Sequence, residues 1–155
     1  MGDRNSERSR KFYWEQVGLL RSLLERYVKE EESTIDVDKY LRICEQLGEE
    51  PDPQKMPLTL EEFPPEVQVA FFIFSYLEDN WDGMSGAYLG KSWSNLEYLF
   101  KLHDVQDPKV ILYIMKMYEG TIVSYRAKKA AHKRKAEERK ASASGGKQYT
   151  HNVKG

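Results

Sequence analysis

The 155-residue chain contains one cysteine, so it can form no internal disulfide and offers no cysteine-based metal site. It lacks any run of about 18 apolar residues, which excludes a membrane-spanning helix. Its charged N-terminus lacks the apolar segment of a secretory signal. Hydrophobic residues make up 40% and charged residues 32% of the chain, so part of it is expected to lie outside the core. These features predict a soluble intracellular protein.

Charge is distributed unevenly along the chain. Residues 12–125 hold ten basic and 21 acidic residues, a net charge of −11. Residues 126–140 hold eight basic and two acidic residues, a net charge of +6, and residues 1–11 have a net charge of +2. Such asymmetry indicates a nucleic-acid arm, a tail that meets an acidic protein surface, a tail that folds back on its own acidic body, or a solvated helix end.

Apolar residues recur at three- and four-residue spacing, which predicts an all-α fold, a small bundle of about five helices. The expected helices are 11–32, 37–47, 65–79, 95–102 and a last one from residue 108. Local capping signals support them: Asp36 and Gly48 around the second helix, Pro65 at the start of the third, Ser94 with Glu97 as a capping box, and Asp107 with Pro108 before the last. Five prolines between residues 49 and 65 predict an ordered or extended connector.

The same patterns predict the domain organisation. Residues 1–10 are expected to be disordered, 11–125 to form the helical domain, 126–141 to form a basic helix that projects from it, and 142–155 to form a disordered tail. Gly120 is expected to bend the last helix or to end its packed part.

No segment carries a recognisable catalytic or cofactor motif. Three residues separate Gly86 from Gly90, whereas four separate the glycines of a phosphate loop, so these glycines predict a turn that uses positive φ angles. The segment Asp79–Gly83 has Trp81 where a calcium loop needs an oxygen ligand. The three histidines are predicted at the surface, and Cys44 is predicted to be a buried, inert thiol. The sequence therefore predicts a non-enzymatic protein with no cofactor and no metal.

The basic segment is a candidate nucleic-acid site. Its cations, which spread around the expected helix, are Arg126, Lys128, Lys129, Lys133, Arg134, Lys135, Arg139 and Lys140. Tyr125 is the one aromatic residue nearby, so contacts with phosphates are expected rather than base stacking. An acidic protein surface, including that of a second copy of the chain, is the alternative partner.

A second candidate site consists of large apolar side chains. Helix 65–79 is apolar nearly all round and is followed by a glycine-rich loop with aromatic residues. The candidate partner-binding residues are Phe72, Tyr76, Trp81, Met84, Tyr88 and Trp93. The alternative is that these side chains fill the core of the bundle.

The region from Glu49 to about Ile122 resembles proteins of tailed bacteriophages. The resemblance rests on the segments Glu50-Pro51, Met56-Pro57, Phe63-Pro64-Pro65-Glu66-Val67-Gln68, Trp81-Asp82-Gly83-Met84-Ser85-Gly86, Gly90-Lys91-Ser92-Trp93 and Asn95-Leu96. The order of a helix, a Trp- and Gly-containing loop, a short helix and a longer one is similar to phage tail assembly chaperones, which act with the tape-measure protein. The basic extension, the proline connector and the acidic excess depart from that pattern.

This resemblance implies a non-enzymatic phage assembly or adaptor protein. Its expected partners are other phage structural or assembly proteins, with a second copy of the chain and non-specific nucleic acid as alternatives. The expected location is the host cytoplasm, with the virion as the alternative. A nucleic-acid-binding accessory that acts through the basic helix is the alternative function.

Overall fold

The computed structural model describes residues 4–33 and 35–144, with side chains from residue 16 to residue 143. It contains five α-helices and one small antiparallel sheet, which confirms the predicted helical bundle. The elements in chain order are α1 (Arg4–Glu31), α2 (Val37–Leu47), a 3-10 turn (Leu60–Glu62), α3 (Pro65–Ser75), β1 (Asp79–Trp81), β2 (Tyr88–Lys91), α4 (Leu96–Leu102) and α5 (Pro108–Ser144). No helix in this part of the chain is long and apolar enough to cross a membrane.

The core lies where α1, α3 and α5 pack together. Leu24 of α1, Ile73 of α3 and Met115 of α5 are completely buried, and aromatic rings fill the space around them. The Phe71 ring stacks on Tyr118 with 4.2 Å between ring centroids, and Phe74 meets Tyr118 edge-on at 5.0 Å. The second half of α1 and the first half of α5 therefore carry the apolar faces that hold the bundle together.

Both ends of the chain are more helical than expected. Helix α1 begins at Arg4, seven residues before the predicted start of the first helix at residue 11, and residues 1–3 lie outside the described part. Helix α5 continues to Ser144, three residues into the predicted tail, and the rest of that tail lies outside the described residues. It passes through Gly120 without interruption, and Ile122 is buried beyond it, so this glycine does not end the packed part of the helix. Good helix formers dominate residues 126–141, and they keep the helix intact beyond its packed half.

A β-hairpin occupies the predicted glycine-rich loop, and the sequence pattern does not predict it. Helix α3 ends at Ser75 instead of residue 79, and β1 pairs with β2 so that Asp79 faces Lys91, with an irregularity after Asn80. The turn forms around Asp82, whose side chain accepts hydrogen bonds from the backbone N–H groups of Met84 and Ser85. Strands of three and four residues are too short to show an alternating pattern.

Most predicted caps are confirmed, but one is wrong. Asp36 accepts a hydrogen bond from the Lys39 N–H at 2.7 Å, and Gly48 ends α2 with a φ of 68°. Ser94 does not cap α4, because that helix begins after Asn95, and the Glu97 carboxylate pairs with Lys101 at 2.7 Å. The Ser94 hydroxyl lies 3.2 Å from the hydroxyl of Ser92.

The proline connector is ordered, as predicted, and hydrogen bonds from two side chains of α1 hold it against that helix. Arg26 donates to the carbonyl of Met56 at 2.6 Å, and the Glu30 carboxylate accepts the backbone N–H of Leu58 at 2.7 Å. Arg26 and Glu30 also form an ion pair one helical turn apart, so each side chain positions the other. This pair holds the chain in place as it returns to start α3.

Candidate binding surfaces

An apolar surface lies on the side of α3 that faces away from the core. Val69, Phe72 and Tyr76 are 39%, 47% and 55% exposed. The His103 ring lies edge-on to Phe72, with centroids 5.0 Å apart, and at 5.5 Å from Tyr76. We call Val69, Phe72, Tyr76 and His103 the aromatic face.

Helical periodicity explains why this face exists. Val69, Phe72 and Tyr76 follow one another at three- and four-residue spacing, so they lie within about 60° around the helix axis. Ala70 and Ile73, which lie between them in the sequence, point into the core and are completely buried. Because α3 is apolar nearly all round, burying one side leaves a second apolar side in solvent.

Acidic residues surround the aromatic face along the chain. Glu66 lies in the first turn of α3, Glu78 follows its last turn, and Asp104 follows His103. All three are exposed. No ion pair within the described residues involves any of them. We call these three exposed residues, which are near the aromatic face in the sequence, the acidic border.

Trp81 and Tyr88 form a separate cluster on the hairpin. Their rings meet edge-on at 5.0 Å, and the Arg126 guanidinium of α5 lies 4.4 Å from the Tyr88 ring and 5.7 Å from the Trp81 ring. Tyr88 is only 8% exposed and donates a hydrogen bond to Asp79, whereas Trp81 is half exposed. Burial, reinforced by the Asp79 charge, raises the pKa of Tyr88 to about 12. Tyr88 is thus a packing residue that joins the hairpin to α5.

Arg126 and Lys129 also join α5 to the end of α1. Arg126 Nε lies 2.8 Å from one carboxylate oxygen of Glu32, and Lys129 Nζ lies 3.3 Å from the other. Burial alone would raise the pKa of Glu32, but the hydrogen bonds and charges of Arg126 and Lys129 outweigh it and hold that pKa below its usual value. We call these three residues the Glu32 clamp.

Met84 and Trp93 lie apart from the aromatic face. Met84 is 99% exposed in the hairpin turn. Trp93 is partly buried: its indole N–H donates to Glu119 at 3.0 Å, and Lys116 Nζ lies 3.5 Å from its ring centroid. Of the six predicted partner-binding residues, the structure brings only Phe72 and Tyr76 together on one open surface.

Glu119 is a central residue that the sequence did not reveal. One carboxylate oxygen accepts the Lys91 backbone N–H at 2.7 Å and the Trp93 indole N–H, and the other pairs with Lys116 at 3.0 Å. Gly90 has a φ of 105°, and a Cβ built there would lie 2.5 Å from the Glu119 carboxylate, so only glycine fits. Glu119 is 28 residues from Lys91 in the chain, and no local pattern connects them.

A cavity of about 540 Å³ lies between α1, α3, α5 and the hairpin. The carboxylates in its wall all have partners: Glu31 accepts from the Tyr118 hydroxyl, Glu32 belongs to the clamp, and Asp79 pairs with Lys91 at 2.9 Å. The hydrogen bond and charge of Lys91 lower the pKa of Asp79 against a smaller opposing effect of burial. Lowered pKa values make Glu32 and Asp79 weak proton acceptors at neutral pH.

The positions of Cys44, the two described histidines and the glycines of the hairpin agree with the sequence predictions. Cys44 is buried, and the two histidines in the described part of the chain, His103 and His132, are exposed, as expected. Gly86 and Gly90 both have positive φ, as predicted for a turn. Within residues 4–33 and 35–144, no group of three or more His, Cys, Asp or Glu side chains could hold a metal ion.

The basic helix is open to solvent beyond its first turn. Every residue from 127 to 143 is exposed, whereas Arg126 is partly buried in the clamp. The prediction that its cations spread around the helix is wrong in detail. At 100° per residue, all of them except Arg134 lie within about half of the circumference. The other half carries Arg134, Glu137, Glu138 and alanines.

Fold and surfaces together define a small helical protein with two exposed candidate binding surfaces, one apolar and one basic. Comparisons of the chain with protein-family models, with curated proteins and with solved structures give no match.

Proposed function

We propose that the protein is a non-enzymatic adaptor that binds another protein through the aromatic face and acts in phage assembly, in the formation of the tail. The observation that carries the proposal is the exposed row Val69, Phe72 and Tyr76 on a helix whose opposite side already fills the core. Exposed apolar rows of this kind are typical of protein-binding sites. The tail-assembly role rests on the resemblance of the Trp- and Gly-containing region to phage tail assembly chaperones.

The geometry of the face favours a particular kind of partner. A row with helical spacing offers a ridge against which a second amphipathic helix can pack. The acidic border formed by Glu66, Glu78 and Asp104 favours basic residues beside the apolar stripe of that helix. We therefore expect a basic amphipathic helix of a phage assembly protein as the partner.

The test is affinity capture of the full chain from phage-infected cells, followed by titration with the captured partner after purification. Replacing two interface aromatic residues removes groups of the type that dominate binding energy in protein interfaces. The variant Phe72→Ala/Tyr76→Ala should therefore raise the dissociation constant by about 30-fold or more.

Matched controls use equally exposed apolar residues outside the aromatic face. Tyr98→Ala on α4 and Leu47→Ala on α2 remove side chains that are 65% and 66% exposed, and they should leave the dissociation constant unchanged. A partner that binds the double variant as tightly as the wild type would show that the face is not the site. A partner unrelated to phage tails would contradict the assembly role alone.

A further inference from the structure

The outer part of α5 presents an open, one-sided array of cations. Apart from the two cations of the clamp, five basic residues share the half of the helix that we call the basic face: Lys128, Lys133, Lys135, Arg139 and Lys140. All are exposed, and none forms an ion pair with another described residue. The opposite side carries Arg134, Glu137, Glu138 and four alanines.

The basic face stands clear of the acidic body. Residues 127–144 extend the helix by about 27 Å beyond Arg126, and Lys133 already lies about 10 Å along it. The Debye length is about 8 Å at physiological salt, so the negative body weakens anion binding at the outer cations only slightly. The Glu32 clamp holds the base of this extension against α1, which fixes its direction relative to the bundle.

We propose that the basic face binds the backbone phosphates of double-stranded nucleic acid without reading base sequence, a function that goes beyond the protein binding proposed above. Residues 127–144 contain no Phe, Tyr or Trp, and His132 is the one ring among them, so a row of stacking rings of the kind that holds single strands is absent there. Lysine and arginine supply charge for phosphates, and a helix of this width fits the major groove of a duplex.

The test measures binding of the full chain to a labelled DNA duplex of about 20 base pairs at several salt concentrations. Five phosphate contacts predict a slope of log K against log salt between about −4 and −5, so affinity should fall about 500-fold from about 50 to about 200 mM salt. The affinity for a duplex RNA of the same length, measured in the same way, shows whether the face prefers the phosphates of DNA or of RNA. A slope near zero, or no binding at low salt, overturns the proposal.

Two neighbouring residues provide the matched comparison. Lys135→Gln removes a cation from the basic face, whereas Arg134→Gln removes one from the opposite side. Lys135→Gln should make the salt slope shallower by about 0.9, and Arg134→Gln should leave it unchanged. Glutamine has about the helix propensity of lysine, and circular dichroism checks that the helix is kept. Equal effects of both changes would show that no particular face is used.

Three further measurements distinguish binding of duplex nucleic acid from binding of proteins or single strands. The aromatic-face variant Phe72→Ala/Tyr76→Ala should bind duplex DNA like the wild type, so failure of one proposal leaves the other standing. Polyglutamate stands in for an acidic protein surface, and binding to it as tight as to the duplex would overturn the proposal. Tighter binding to single strands than to the duplex would overturn it as well.

Discussion

At the scale of single residues, Glu119 shows how one carboxylate can hold several parts of the fold. It joins α5 to the strand β2 through the Lys91 N–H, to the following loop through the Trp93 indole, and to Lys116 on its own helix. A side chain that accepts several donors from separate segments leaves all of them unsatisfied when it is removed. Stability near the hairpin therefore depends on this residue.

We expect Glu119→Ala to lower the free energy of unfolding by about 2–4 kcal/mol, because a backbone N–H and an indole N–H lose their acceptor in a partly buried place. Urea unfolding followed by Trp fluorescence measures the change. Glu97→Ala is the control, since Glu97 forms a fully exposed pair with Lys101 and its loss should not shift the midpoint. Equal midpoints for Glu119→Ala and the wild type would contradict this account of Glu119.

Some residues could be interpreted from sequence alone, and others could not. Asp36, Gly48 and Pro65 act through their own neighbours in the chain, so local rules identified them. The sequence correctly identifies Tyr88 and Trp93 as large apolar residues of the loop region, but it predicts that they lie on a partner-binding surface. Their burial depends on Arg126, Lys116 and Glu119, which belong to a distant helix. His103 joined the aromatic face by the same kind of contact between distant segments.

At the scale of elements, the junction between α1 and α5 depends on charge. The Glu32 clamp replaces apolar packing at the point where α1 ends and α5 leaves the bundle. Since the pKa of Glu32 lies below its ordinary value of 4.5 in the folded chain, the clamp stabilises the fold when Glu32 is ionised. This contribution is present above the ordinary pKa and is lost as the pH falls through the folded value.

We expect the difference in melting temperature between the wild type and Glu32→Gln to be constant from about pH 6 to pH 8, to shrink as the pH falls below 4.5, and to disappear once Glu32 is protonated in the folded chain. Thermal unfolding over this pH range measures it. Glu25→Gln, on the exposed side of α1, is the matched control and should not reproduce the pattern. A difference that persists in acid would mean that Glu32 acts through packing and not through its charge.

The elements also show where sequence periodicity fails. Long amphipathic segments such as the packed half of α5 were identified because their spacing repeats over several turns. The hairpin was missed because its strands are short, and because its pairing depends on the position of α5, which contacts β2 through Glu119. The end of α3 at Ser75 follows from the hairpin, since the chain must turn at residues 76–78 to begin β1.

At the scale of the whole molecule, the protein consists of a packed bundle and an exposed helical extension of the opposite charge. The bundle buries its apolar residues between α1, α3 and α5, and α5 alone continues past them. The two parts meet at the Glu32 clamp. The last residue of the clamp, Lys129, lies three residues after residue 126, the predicted start of the extension. Two truncations should therefore differ in effect.

We expect a chain that ends at residue 130 to unfold at the same urea midpoint as the wild type, because residues 131–143 are exposed and contact no core residue. A chain that ends at Tyr125 loses both cations of the clamp, and it should be less stable by about 1–2 kcal/mol. Urea unfolding of both truncated chains measures the difference. Equal stability of the two would show that the clamp contributes nothing, and a loss in both would show that the extension supports the bundle.

The sequence by itself determined the helical class, the main helices, most of their caps, the ordered connector and the basic helix, because these depend on residues close together in the chain. The tertiary structure alone decided which apolar residues stay exposed, that α1 and α5 meet through Glu32, and that the glycine-rich loop folds into a hairpin over Glu119. These features depend on contacts between segments up to 97 residues apart, and local propensity contains no information about such distances.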